Sequence, residues 1–555
     1  MKENEVLQLL TEAKWYDLTQ ALSIFTPPWP GEMPLQVHFF KRVTGSWGGG
    51  QGANGQLIEW SNNTGTHLVG PRAFHSGARA IADIPLTDLC GEGVVVDISD
   101  AVSDYSLYTP EMIMARAEVK EGDILIINTG YHRHTFDLPD TPNPTAQAGI
   151  ESKEFGYYVR HPGPSPEFFP WALEMKLKLI AVDCGCAEHP MNTSIRYMHA
   201  REFEKAEAKL RETHGRTWDE MFPPEEYHAL THITMPKSGL LLAEGLGGQI
   251  AELNNQRAWV MVMPVPFMEV ESAWSRVVAL QAPNGMDESA FLAAMGEIEM
   301  ADMTLPFSVQ TPQWANYEPL SIKYTKRVGG QNFGLGRNNA HCRASFHLAS
   351  HMDGEKHFWA AGRTIGQTPL DYWVGVGVVA DISGLVSNSS VYTPEMIESV
   401  VDVQDGDILI VKTGWYQYGW NSPDSDEFRY MIKHPGPSPD FGDWCIKRNI
   451  KWLGVDCVAM EHPMNTIQRI WHPKTFAEAN RKLVETYGKD WDEMYPLDKY
   501  YQDMHLNLFP KGIVHAENLG KEIAGLENGR YFLGCFIQKG MELASCWGRF
   551  VAFKA

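Results

Sequence analysis

GDILIINTGY (122–131) returns as GDILIVKTGW (406–415), and this recurrence decides the architecture. An apolar, β-rich run held between Gly-Asp and Thr-Gly reads as a buried strand. Finding it twice turns a local reading into one about the whole chain. YTPEMI (108–113 and 392–397) shares the displacement of 284 residues, whereas HPGPSP (161–166 and 434–439) and AEHPMNT/MEHPMNT (187–193 and 460–466) are displaced by 273. The eleven-residue difference falls between Gly130 and His161 and predicts a longer loop in the first copy. Towards the ends, SIFTPPW (23–29) answers SVQTPQW (308–314), KRV (41–43) answers KRV (326–328), and MEVESAWSRVVA (268–279) answers MELASCWGRFVA (541–552).

Two homologous units follow, 1–280 and 300–555, joined by a linker over 281–299 that carries a Pro-Asn-Gly turn and a short helical pattern. Two units are too few for a solenoid, so a pseudo-two-fold pair is expected. Within the second unit, VGVGVVADIS (374–383), GDILIVKTG (406–414) and WLGVDC (452–457) read as buried strands. Thr393 before Pro394 predicts a helix opening that runs to about Val401, and KTFAEANRKLVETY (474–487) predicts a helix stopped by Gly488. Strands alternating with helices make the chain α/β.

Bulk composition narrows the function classes. At 555 residues, 44% hydrophobic and 11% aromatic, the chain has ample material for two cores. A formal charge of -22 repels nucleic-acid phosphates and anionic lipid heads, so neither is an expected partner. The longest strongly apolar stretch, AWVMVMPVPFM (258–268), is too short to span a bilayer, and the N-terminus lacks a secretory pattern, so a cytoplasmic protein is expected. Eight scattered cysteines read as buried thiols. There is no dinucleotide-binding glycine motif, phosphate loop or serine nucleophile motif.

FHLASHMDGEKHF (346–358) places His347, His351, Asp353 and His357 within eleven positions. Imidazole nitrogens with a carboxylate suit zinc, manganese or iron, and three protein ligands would leave coordination positions open for water. The pattern resembles the signature of the cyclase superfamily of metal-dependent hydrolases, which includes kynurenine formamidases and isatin hydrolases and reads His-x-Gly-Thr-His-x-Asp-x-Pro-x-His. Ala349, Ser350 and Glu355 depart from its Gly, Thr and Pro. The resemblance implies tandem cyclase-like domains of the swivelling β/β/α type. It also implies a downstream histidine and glutamate twelve residues apart, which His505 and Glu517 supply. On that basis His347, His351 and Asp353 are expected around a first divalent ion, Mn²⁺ or Zn²⁺, with His357, His505 and Glu517 as ligands of a second ion or as proton-transfer groups. His357 is the expected general acid or base.

In the first copy the four positions hold Asn63, His67, Val69 and Ala73, so three of the four ligands are gone, although His232 and Glu244 keep the twelve-residue separation. One site per chain is expected, in the second unit. The first copy keeps PPWPGEMP (27–34), where the second has PQWANYEP (312–319). Trp29 is accordingly a candidate substrate-binding residue reaching over the second unit's site, with packing inside its own unit as the alternative. Glu188 and Glu461, His189 and His462, His434, Arg276 and Arg549 are expected in structural roles. The resemblance implies a small cyclic substrate and a homo-oligomer; the duplicated layout most resembles manganese-dependent cyclohydrolases that open dihydrophloroglucinol, with cyclic amide or formamide hydrolysis as the alternative. A non-catalytic metal-dependent binding protein is the reading from a different class.

Overall fold

The computed structural model describes residues 1–43, 52–135, 156–230, 238–330 and 336–555. The longer first-copy loop expected between Gly130 and His161 lies largely outside these residues, and so does His232.

Each half builds an eight-stranded mixed sheet that closes on itself. In the first, the order is Lys14–Asp17, Ser272–Gln281, Gln256–Pro264, Cys90–Asp97, Ile124–Asn128, Leu179–Val182, Leu241–Glu244, His67–Val69, and Ser272–Gln281 pairs again with His67–Val69. In the second it is Glu299–Asp302, Ser545–Lys554, His351–Asp353, Val514–Glu517, Trp452–Val455, Ile408–Lys412, Val374–Asp381, Gly529–Ile537, closed by Ser545–Lys554 on Gly529–Ile537. The runs predicted as strands are the parallel centre of this sheet, and their Val, Ile and Leu side chains are buried on both faces. The result is an α/β chain of two similar barrel-like sheets.

Helix signals behave as read at their starts. Thr393 Oγ1 accepts from the Met396 amide and caps Pro394–Glu398, which ends three residues before Val401, where two consecutive valines disfavour continuation. Pro473–Tyr487 ends on Gly488 at φ +70°. The linker helix is Glu288–Gly296, capped by Asp287. The last strand of the first sheet ends at Gln281 and the first of the second begins at Glu299; the division into 1–280, 281–299 and 300–555 stands as our proposal.

The halves meet in a four-stranded sheet of order Ser321–Lys326, Asn339–Ser345, Gly55–Ser61, Gln36–Lys41. Its central antiparallel pair has the register His341↔Ser61, Arg343↔Glu59, Ser345↔Leu57. Under the displacement of 284, Glu59 and Arg343 are equivalent, so the pseudo-two-fold axis runs between them, and their side chains lie 3.7 Å apart. Beneath this sheet, Trp60 packs between Trp274 (5.2 Å) and Trp547 (5.3 Å), themselves equivalent, and one hydrophobic core runs through both halves. Trp60 is equivalent to Ala344, a large-for-small exchange that lets a single indole fill the space on the axis.

Arg276 and Arg549 are fully buried. Arg276 makes two hydrogen bonds to Asp17 (2.8 and 3.0 Å) and donates to the Ile537 carbonyl of the other half at 2.9 Å. Arg549 pairs with Asp302 and reaches the Pro264 carbonyl. Both therefore combine an internal ion pair with a contact across the halves. Arg276→Met leaves Asp17 poorly paired, and we expect a stability loss of about 3–5 kcal/mol in denaturant unfolding, partly recovered by adding Asp17→Asn.

Candidate metal centre

The ligand stretch is brought together by strand pairing. His351–Asp353 lies between Val514–Glu517 and Ser545–Lys554, opposing His351 to Glu517 and Asp353 to both His515 and Ser545. His347 precedes this strand, His357 ends the short turn Glu355–His357, and His505 lies in the helix Asp503–Leu506. All six expected ligand residues are buried around the Asp353 carboxylate.

Asp353 Oδ1 is 3.2 Å from His347 Nδ1 and 3.5 Å from His351 Nε2. Its Oδ2 is 3.6 Å from His505 Nε2 and 3.9 Å from His357 Nε2. His351 Nε2 is also 3.7 Å from Glu517 Oε2 and 3.3 Å from His347 Nδ1. Ligand atoms converge in two sets that share Asp353: one with His347 and His357, the other with His505, His515 and Glu517. This grouping moves His357 beside His347, away from the set proposed from sequence, and adds His515.

Surrounding groups fix which imidazole nitrogen faces inward. His357 Nδ1 donates to the Asn54 carbonyl at 2.9 Å, His351 Nδ1 to the Ala349 carbonyl at 3.0 Å, and His505 Nδ1 faces Glu461 Oε1 at 3.1 Å. With its far nitrogen so engaged, each ring turns its Nε2 toward Asp353, the arrangement metal-ligating histidines use. Ser545 donates to Asp353 Oδ1 at 2.9 Å and the Met460 amide to Glu517 at 2.8 Å. Among the described residues Asp353 Oδ2 is buried without a hydrogen-bond partner. A buried carboxylate oxygen lacking a donor and ringed by imidazole nitrogens fits a divalent cation.

The electrostatics are those of a crowded acid–base cluster. Burial raises the Asp353 carboxyl, yet His347, His357 and His351 outweigh it and hold the group well below the usual range. Glu517 is pushed up to about 7 by burial and by the Asp353 charge. Burial opposes protonation of His505, but Asp353 and Glu461 overcome it and lift the imidazole to about 10. Burial drives His357 well below its ordinary value and, with the neighbouring His505 charge, lowers His515 to about 3.

The cluster floors a cavity of about 390 Å³. Trp314, Tyr317, Phe358, Ile467, Trp471 and Tyr501 form much of its wall, and Lys41 and Ala53 enter from the first half. Trp29 does not reach it. Its ring, 5% exposed, packs edge-on against Tyr158 at 5.7 Å and under Arg337 at 5.2 Å, beside the first half's own pocket. The expectation that Trp29 covers the second site is therefore corrected: Trp29 packs beside the first half's pocket, and Trp314 occupies the cavity wall. Glu461, expected to be structural, also lines the cavity. His434 donates to the Pro435 carbonyl and stays out of it, as a turn residue would.

In the first half the corresponding pocket has shrunk to about 20 Å³. His67 and Glu244 remain 3.3 Å apart, but Val69 and Ala73 provide no ligand atoms, and Arg337, which lines the pocket, is paired with the buried Glu32 carboxylate, itself 3.6 Å from Lys326. We expect Asp353→Asn or His351→Ala to abolish divalent-metal retention in elemental analysis of purified protein, with His67→Ala leaving the metal content unchanged.

The family model described as "Putative cyclase" matches residues 16–189 and 301–462, together more than half of the chain and once in each half. Kynurenine formamidase from Bacillus anthracis is 24% identical over 130 residues, 23% of this chain and 57% of that protein; the one from Geobacillus thermodenitrificans is 31% identical over 88 residues, 16% and 39%. The chain thus spans 39–57% of the length of these curated relatives. Isatin hydrolase A from Ralstonia solanacearum is similar over 49% of this chain and 99% of its own at 16% identity, TM-score 0.37, and that from Labrenzia aggregata over 47% and 95% at 17%, TM-score 0.36. With one family match in each half, the chain belongs to the cyclase family, carried in tandem.

Proposed function

We propose that this chain is a divalent-metal-dependent hydrolase that opens a small cyclic substrate at a ring carbonyl, using one site in its second half. The observation that carries this is the convergence of His347, Asp353, His357, His505 and Glu517 on the floor of a 390 Å³ cavity, with His351 packed against Asp353 behind them and Asp353 Oδ2 lacking any hydrogen-bond partner among the described residues. His347, His351, Asp353, His505 and Glu517 would hold the ion or ions, with His515 behind them and the His357 Nε2 kept for proton transfer. Their nitrogen and oxygen donors suit Mn²⁺ and Zn²⁺ alike. A bound divalent cation supplies Lewis acidity, lowering the pKa of a water and polarising a carbonyl.

The chain's own residues do the rest. His357, kept neutral by burial and locked by Asn54, presents an Nε2 that can take the proton of the attacking water and return it to the leaving atom. His505, held by Glu461, and Glu517 support that exchange. Phe358, Trp314 and Tyr501 wall the cavity with flat apolar surface that suits a small ring. In the balanced reaction, water oxygen bonds to the carbonyl carbon, the ring bond to that carbon breaks, the released atom takes a proton, and the product carries a carboxylate.

For the substrate itself we propose a cyclic 1,3-diketone of the dihydrophloroglucinol type, opened at a carbon–carbon bond, which the tandem layout supports. The names of the relatives favour a second reading, a cyclic amide or formamide. Cytoplasmic residence and homo-oligomerisation belong to the same proposal; no helix among the described residues is long and apolar enough to cross a membrane.

Incubation with dihydrophloroglucinol, isatin and N-formylkynurenine, followed by product masses, separates the readings. Chelation should remove turnover and Mn²⁺ or Zn²⁺ should restore it, and His357→Ala should lower kcat by roughly 10²–10⁴-fold. Metal retained without any ring being opened would favour the binding-protein alternative.

A further inference from the structure

Lys41 ends the strand Gln36–Lys41 of the first half, yet it lines the cavity of the second. Its ammonium lies 4.4 Å from the centroid of Tyr317, another lining residue, and no carboxylate pairs with it among the described residues. Half-burial alone depresses its pKa, with no acidic group restoring it. An uncompensated cation in the wall of a small cavity is costly unless a ligand completes it.

The other half shows what completes it. Lys326 occupies the equivalent strand end in Ser321–Lys326, as the KRV repeat requires, and its ammonium is 3.6 Å from the Glu32 carboxylate. That carboxylate is buried, and Arg337, which lines the first half's small pocket, and Ser61 also bind it. In the second half the equivalent of Glu32 is Tyr317 and the equivalent of Arg337 is Ala53, so the internal carboxylate is missing, and both replacements line the open cavity.

We propose that Lys41 anchors a ligand carboxylate in the cavity beside Tyr317, as the partner that Glu32 provides to Lys326 in the other half, and that this carboxylate is the one generated by ring opening. The assignment rests on the ring-opening reading above for the origin of the carboxylate, but not for its binding. Lys41 then holds the acyclic acid from the opposite half of the chain.

The test measures calorimetric binding of 5-oxohexanoate, the acid formed on opening cyclohexane-1,3-dione, and of its uncharged amide, to the full metal-loaded chain. The acid should bind roughly tenfold or more tightly than the amide. Lys41→Met should erase that preference while leaving amide affinity and metal content unchanged, Lys41→Arg should keep it, and Lys326→Met should not affect it. Lys41→Gln serves as a second neutral variant if Lys41→Met does not fold. Equal affinity of acid and amide in the parent protein, or a preference that survives both neutral variants, overturns the proposal. Failure to open cyclohexane-1,3-dione would count against the ring-opening reading alone, because binding requires no turnover.

Discussion

Asp353 imposes the constraint from which the second half is built. Its carboxylate is buried, shared by four imidazoles, and left with an oxygen that has no hydrogen-bond partner among the described residues. Such a group is tolerable in a low-dielectric interior only if positive charge converges on it. The surroundings are arranged accordingly: Ser545 satisfies one oxygen, and the outer N–H groups of His351, His357 and His505 are tied to Ala349, Asn54 and Glu461. The same constraint explains the first half. With Val69 at the aspartate position and Ala73 at the His357 position, nothing there requires an open pocket, and the Glu32 carboxylate is held by its cationic partners beside it.

The two halves remain interdependent although only one retains the full ligand set. Asn54, whose carbonyl orients His357, comes from the first half, and its own amide donates to the His357 carbonyl at 2.7 Å. The equivalent Asn338 donates in the same way to Ala73 at 2.7 Å. A pseudo-symmetric clasp thus survives on both sides, and on one side it orients a ligand.

Much of this was legible in sequence. The repeat announced two similar α/β units and their buried central strands, because strands buried on both faces leave long apolar runs between turn residues; closure of each sheet rests on long-range pairings that the runs do not encode. The ligand cluster was legible because its members lie within one short stretch and because the copies could be compared position by position. His515 was missed, yet two signals pointed to it: it shares a strand face with Glu517, and its equivalent in the ligand-poor copy is Leu242. Glu461 was misread because its presence in both copies argued for structure, whereas it orients a histidine that itself lies in the cluster. The placements of Trp29, Lys41 and Asn54 depend on which hairpin pairs with which across the axis, a long-range choice that local pattern does not encode. Ala349 adopts φ +53° where the first copy has Gly65 at φ +71°, so the departure from the family's glycine preserved the backbone shape.

The pair on the pseudo-two-fold axis bears on ancestry and assembly. In a dimer of two identical subunits, the residue on the axis faces its own copy, so a glutamate there would meet a glutamate and an arginine an arginine. Glu59 opposite Arg343 converts that self-repulsion into attraction. Trp60 opposite the small Ala344 does the same for volume, since two indoles would collide and two alanines would leave a void. Each half has become a lock cut for the other's key, which disfavours self-association of a liberated half.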